Sequence, residues 1–139
     1  MSMEADFLAV LKSDATILGL VTTAGVTRIY PSTYAQATAN PAIRYMKVTG
    51  TIGLHMRGSD GLSDAIVQVD ARSSVSFAQA LSIRDALVAK LHGFSGVQGG
   101  TDFDRIGLSS DRGVQFDDTG AVKYWTASLD FNVTSRAAA

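Results

Sequence analysis

The residues 64–91, DAIVQVDARSSVSFAQALSIRDALVAKL, change hydrophobic period partway along. The first half alternates: Ala65, Val67, Val69 and Ala71 point one way, while Ile66, Gln68, Asp70 and Arg72 point the other. A period of two is that of a half-buried strand. The second half runs with a period near 3.6, with Phe77, Ala80, Leu81, Arg84, Leu87, Val88 and Leu91 along one side. That is the period of an amphipathic helix. Ser76 followed by Gln79 forms a capping-box pair, and Gly93 supplies the stop. A strand at residues 63–72 therefore feeds directly into a helix. Burying about five large apolar side chains of that helix, at roughly 1.5–3 kcal/mol each, would dominate its stability. Such a helix is the natural cover for one face of a sheet.

The rest of the chain supplies the partners for this unit. Residues 2–12 read as a helix with Phe7, Leu8 and Leu11 on one face, and with Glu4 and Asp6 in the first turn, where carboxylates suit the helix dipole. Ser13-Asp14 breaks it, and Ile17, Leu18 and Val21 form a second short apolar stripe. Residues 26–30 read as a short strand or extended segment ended by Pro31, and residues 31–41 as a loop bounded by two prolines. A strand follows at residues 42–50. Residues 51–64 hold Gly53, Gly58 and Gly61 and read as a long hairpin connection with strand extensions at its ends. Residues 93–100 make a connector or edge strand. Further strands fall at residues 103–110 and 114–116, with a turn at Asp118-Thr119-Gly120. The clearest strand covers residues 121–135, with Trp125, Ala127, Leu129, Phe131 and Val133 toward the core and Tyr124, Thr126, Ser128, Asp130 and Asn132 away from it. The expected fold is α+β: a single antiparallel β-sheet of about four strands with helices packed on one face, in one domain spanning residues 1–139.

Composition excludes several functions. With 46% hydrophobic and 18% charged residues the chain is ordered and globular. Twelve basic residues against thirteen acidic ones leave no field to drive nucleic-acid binding. Arg28, Arg44, Lys47, Arg57, Arg72, Arg84, Arg105 and Arg112 are dispersed rather than blocked with aromatics. There is no cysteine, so disulfides, thiolate metal sites and a cysteine nucleophile are absent, which fits a reducing cytosol. No basic, apolar leader opens the chain, and no apolar run reaches the roughly 18 residues of a membrane span.

Catalytic motifs are equally missing. His55 lies in the glycine-rich connection and His92 at a helix end, where a cation suits the dipole. Asp111, Asp117 and Asp118 lack the spacing of a calcium loop. The glycines of residues 96–104 carry no phosphate-loop lysine, and GLSSD at residues 107–111 is not a nucleophile elbow. The chain is expected not to be an enzyme and to need no cofactor or metal.

The mixed polar sheet face remains. One face of an antiparallel sheet can simply face water, but Gln68, Asp70, Arg72, Tyr124, Thr126, Ser128, Asp130 and Asn132 together with Ile66 also suit a seam between subunits. The subunit and partner interface candidates are Gln68, Asp70, Arg72 and Asp130 on this face, and His55, Met56 and Arg57 in the long connection. Changing Asp70 and Arg72 together to Ala is expected to impair assembly while leaving the monomer folded.

The order of these segments resembles the tail-completion family of long-tailed bacteriophages, which includes tail-to-head joining and tail-terminator proteins. The resemblance spans most of the chain. An N-terminal helical region leads to GVTRIYPS at residues 25–32 and to PAIRYMKVTGT at residues 41–51. Next come a strand ending VQVD, a serine-rich link and an alanine-rich helix closing at residues 91–93. Last is an acidic turn before a strand ending LDFNV at residues 129–133. The resemblance implies a structural virion protein: a six-fold homo-oligomeric ring that caps the tail tube, meets the tail tube protein and the head-tail connector protein, and lets DNA pass through its lumen. It implies a location in the tail or neck of the virion, with assembly in the host cytoplasm, no membrane, and no catalytic residue to carry over. Such proteins occur in phages, prophages and gene transfer agents. Residues 52–64 are longer than the family's hairpin, which makes them a candidate contact with tube or connector. A head-closure or connector adaptor is the neighbouring alternative. A small ligand-binding domain or enzyme is the alternative of another class.

Overall fold

The computed structural model describes residues 3–23, 26–31, 41–55, 58–117 and 123–137. In chain order these form α1 (Met3–Lys12), α2 (Ala15–Val21), β1 (Thr22–Thr23), β2 (Val26–Thr27), β3 (Ile29–Pro31), β4 (Ala42–His55), β5 (Gly58–Ser73), α3 (Phe77–Leu91), β6 (Gly96–Gln98), β7 (Thr101–Asp117) and β8 (Tyr124–Ala137). β1 and β2 form a small ribbon of their own.

The main sheet differs from the expected one of about four antiparallel strands. It has six strands in the order β3-β4-β5-β8-β7-β6, and it is mixed, because β3 pairs parallel to β4. It curls into a half-barrel. Two physical causes account for the difference. The added strands, β3 and β6, have three residues each, too few to show an alternation, so the sequence leaves both open as strand or connecting segment. The other strands are long: the glycine-rich residues 51–55 and 58–64 continue the β4–β5 ladder instead of leaving it. Likewise the two short strands expected at residues 103–110 and 114–116 are one strand, β7, crossed by register breaks. Gly113 sits in the last of these at φ 74°, a conformation that side-chain-bearing residues avoid. Such breaks sharpen the local twist, and twisted long strands curl.

The alternation read from β5 and β8 decides which face is covered. Val67, Val69 and Ala71 of β5 and Ala127, Leu129 and Phe131 of β8 are all 0–1% exposed. α3 packs on them with Ala80, Ile83, Leu87 and Leu91. The helix is therefore rotated from the expected face: Ile83 points inward, while Phe77 is half exposed. α1 and α2 add Phe7, Val10, Leu11, Ile17 and Val21 to the same core. Each fully buried side chain of this size contributes about 1.5–3 kcal/mol.

The caps carry the chain between elements. Ser76 Oγ accepts from Gln79 N at 3.1 Å, as the capping pair requires. The return bond differs: Gln79 Oε1 accepts from the buried Ser73 hydroxyl, which in turn accepts from Val75 N at 3.1 Å and Ser76 N at 3.4 Å. At the other end Gly93, at φ 85°, donates its N–H to Ile106 O at 2.7 Å, so the helix stop is also a bridge to β7. Asp6 has more than a dipole role, being 1% exposed and hydrogen-bonded to Thr101.

Candidate assembly surface

Strand register places the polar residues in rows across the sheet face opposite α3. Arg44 of β4 lies opposite Asp70 of β5, and Asp70 opposite Ser128 of β8. The neighbouring rows join Gln68 to Asp130 and Arg72 to Thr126. Gln68, Asp70, Arg72 and Asp130 therefore do share one surface.

They are not equivalent on it. Asp70 is 1% exposed. Arg44 grips its carboxylate through Nε, at 3.1 Å, and Nη2, and Gln68 Nε2 donates to both oxygens at 3.0 and 3.1 Å. A buried carboxylate needs such donors. Asp70 is thus a fastener between β4 and β5, and replacing it together with Arg72 would disturb the monomer as well as any seam. The reachable groups lie around it. The Arg72 guanidinium stands 4.2 Å from the centre of the Tyr124 ring, within cation–π range. Arg112 Nη2 donates to Asp130 Oδ1 at 2.7 Å, and both side chains retain solvent contact.

Of the long-connection candidates, His55 ends β4, with its backbone paired to Gly58. Met56 and Arg57 fall outside the described residues. At about 3.3 Å per residue, His55 stands roughly 35 Å along β4 from Arg44. His55 thus lies apart from the mid-sheet polar face.

The fold adds two features that sequence reading missed. The first is a depression of about 350 Å³ on the polar face, walled by Asp64, Ile66, Arg105, Asn132 and Thr134. Gly107 lies beside it, opposite Asn132, and a Cβ there would meet nothing within 4 Å. The second is an apolar ledge where α3 begins. Phe116 and Trp125 pack with their rings tilted by 49° and ring centres 4.8 Å apart. Phe116 is 49% exposed, and Val75 and Phe77 are also exposed nearby in the chain's strand-to-helix junction. Trp125 belongs to the core-facing set by alternation, yet it sits one row beyond the helix, opposite Ser73, and is only partly covered. Alternation gives the side of a sheet; it does not give where the covering helix starts.

Among the described residues no three His, Asp or Glu side chains converge as a metal site. Among the described residues no helix is long and apolar enough to cross a membrane. No protein-family model matches the chain, and no curated protein matches it in sequence. Solved structures do. A chain from the virion of a native gene transfer agent particle superposes with a TM-score of 0.70, over 97% of this chain and 95% of that one, at 14% identity. This chain has that protein's fold. A second solved protein superposes with a TM-score of 0.54 over 96% of each chain, at 15% identity. Both matches run essentially end to end, so the shared fold includes the helices as well as the sheet. Identity this low leaves surface chemistry free to differ, and the ledge and the polar face are read from this chain's own residues.

Proposed function

We propose that this chain is a structural component of a phage-like particle, a tail terminator that caps the tail tube as a ring of six copies and joins tail to head. Its partners in this reading are other copies of itself, the tail tube protein and the head-tail connector protein, with DNA passing through the lumen. Its place is the neck of the particle, reached after assembly in the host cytoplasm, and its work is done by binding alone. The observation that carries the reading is the end-to-end fold likeness to a chain of a gene transfer agent virion. The order of motifs supports the terminator role within such a particle, and the exposed polar face and apolar ledge supply surfaces for neighbours.

The test is to mix the purified chain with tail tubes of its own particle and image them by negative-stain electron microscopy. A ring seated on one tube end, with elongation halted, is the expected result. Binding to filled, tailless heads and not to tubes would assign the head-closure role instead. Binding to neither would overturn both.

A further inference from the structure

We propose that copies of the chain join head to tail by antiparallel pairing of the β7 edge of one copy with the β4 edge of the next, packing Phe116 of the first against Val48 of the second. The inference rests on the reading that the chain assembles into a ring, and it names the seam.

Among the described residues β4 and β7 each carry only a short covering strand. β3 pairs with β4 at residues 43–45, and β6 pairs with β7 at residues 101–103. On β7 the chain extends its own cover a little further: Gly93 and Phe94 bond to Ile106, and His92 Nδ1 accepts from Leu108 N at 2.9 Å. Past Leu108, and past Tyr45 on β4, no strand pairs with either outer edge among the described residues. Open edges present rows of N–H and C=O groups to any other strand, and monomers blunt them with charge or proline. Here the open lengths carry the exposed charges Lys47, Asp111 and Arg112, but exposed apolar side chains stand beside them. Val48 is 52% exposed on β4, and Phe116 is 49% exposed on β7 with Trp125 beside it.

Polarity selects how two copies fit. Successive antiparallel pairings through β5 and β8 leave β4 and β7 antiparallel to each other. A second copy set beside β7 in the same sense presents its β4 antiparallel to it. Leu108, not Phe116, is level with Lys47 across the sheet, so bringing Val48 to Phe116 slides that copy along the strands by about six rows, roughly 20 Å. That shift sets the open length of β4 beside the open length of β7. Like-with-like pairing is poorer. A two-fold pairing of β4 centred on Val48 sets Lys47 opposite Thr49 and joins a single pair of edges without repeating, so it yields a dimer and no ring. Different edges meeting make a heterologous contact that repeats, and repeats close into a ring when the rotation per subunit allows. The curl of the sheet supplies such a rotation.

The absence of cysteine makes the test clean. Val48→Cys and Phe116→Cys, at half-exposed positions, are treated with a short bismaleimide. The double variant should give a ladder of covalent oligomers that stops at a closed size. An equal mixture of the single variants should give dimers and nothing larger, and each single variant alone should give none. Phe116→Asp should abolish oligomers while the monomer still unfolds cooperatively, its midpoint lowered only by the lost Trp125 contact. Self-linking of Val48→Cys, or rings without Val48–Phe116 links, would overturn the seam and leave the ring standing. If the unmodified chain forms no oligomer in solution or on tube ends, the ring and the seam fall together.

Discussion

The buried carboxylate of Asp6 accepts a 2.5 Å hydrogen bond from Thr101 Oγ1 and presses against the backbone of Gly99. A Cβ built on Gly99 would lie 2.2 Å from Asp6 Oδ1, and Gly99 holds φ 61°. The contact fastens α1 to the β6–β7 turn. Asp6→Ala is expected to cost about 1–3 kcal/mol, the range for stranding a buried polar partner. Gly99→Ala should cost more than the roughly 1–2 kcal/mol of left-handed strain, because the clash adds to it. In the Asp6→Ala background its cost should drop back to the strain alone. Urea unfolding of the four proteins measures this coupling; additive costs would mean that the two groups do not meet.

Arg44 and Asp70 form an unequal pair, with side chains 29% and 2% exposed. Removing Arg44 leaves a carboxylate that water cannot reach, held by Gln68. Removing Asp70 leaves a guanidinium that can turn toward solvent. Arg44→Ala should therefore destabilise by about 2–3 kcal/mol and Asp70→Ala by about 1–2 kcal/mol, below the values for fully buried pairs because solvent screens the arginine. The reverse order in urea unfolding would refute this asymmetry.

Tyr45, 5% exposed and 6.1 Å ring-to-ring from Phe7, predicts an alkaline limit to stability. Burial, and next the charge of Glu4, raise its pKa above 10.0. Below pH 10 the phenol is neutral in both states, so its contribution is fully present. As pH rises past 10 the unfolded chain ionises first, and stability is lost up to the folded pKa. Tyr45→Phe should lose less stability than the native chain between pH 9 and 11. Parallel losses in urea midpoints at the two pH values would exclude Tyr45 as the cause.

His92 Nδ1 accepts the Leu108 N–H at 2.9 Å, so its side chain caps a backbone donor of β7. Asn offers an oxygen at a similar place. His92→Ala should cost about 1 kcal/mol, a typical net hydrogen bond, and speed amide exchange at Leu108, while His92→Asn should do neither. Equal exchange in both variants would remove the cap from the account.

Much of the site was legible in local pattern. Alternation in β5 and β8 set Gln68, Asp70, Arg72 and Asp130 on one face, because side-chain direction along a strand depends only on the backbone. Burial was not legible: Asp70 reads as a surface acid until Arg44, 26 residues earlier, lies across it. The same holds for Asp6, whose partner Thr101 is 95 residues away. Phe77 and Trp125 were placed in the core for their period, and both came out at its rim.

What the sequence determined by itself was the strand-to-helix unit, its cap at Ser76 and stop at Gly93, and the inward faces of the two central strands. These follow from short-range periodicity and from hydrogen bonds between near neighbours. Only the tertiary structure decided the strand count, the parallel β3, the curl of the sheet, and the places where its edges lie open. Those depend on which segments find each other across the chain and on how far a covering element reaches once it is packed, and neither is encoded in the spacing of residues along one element.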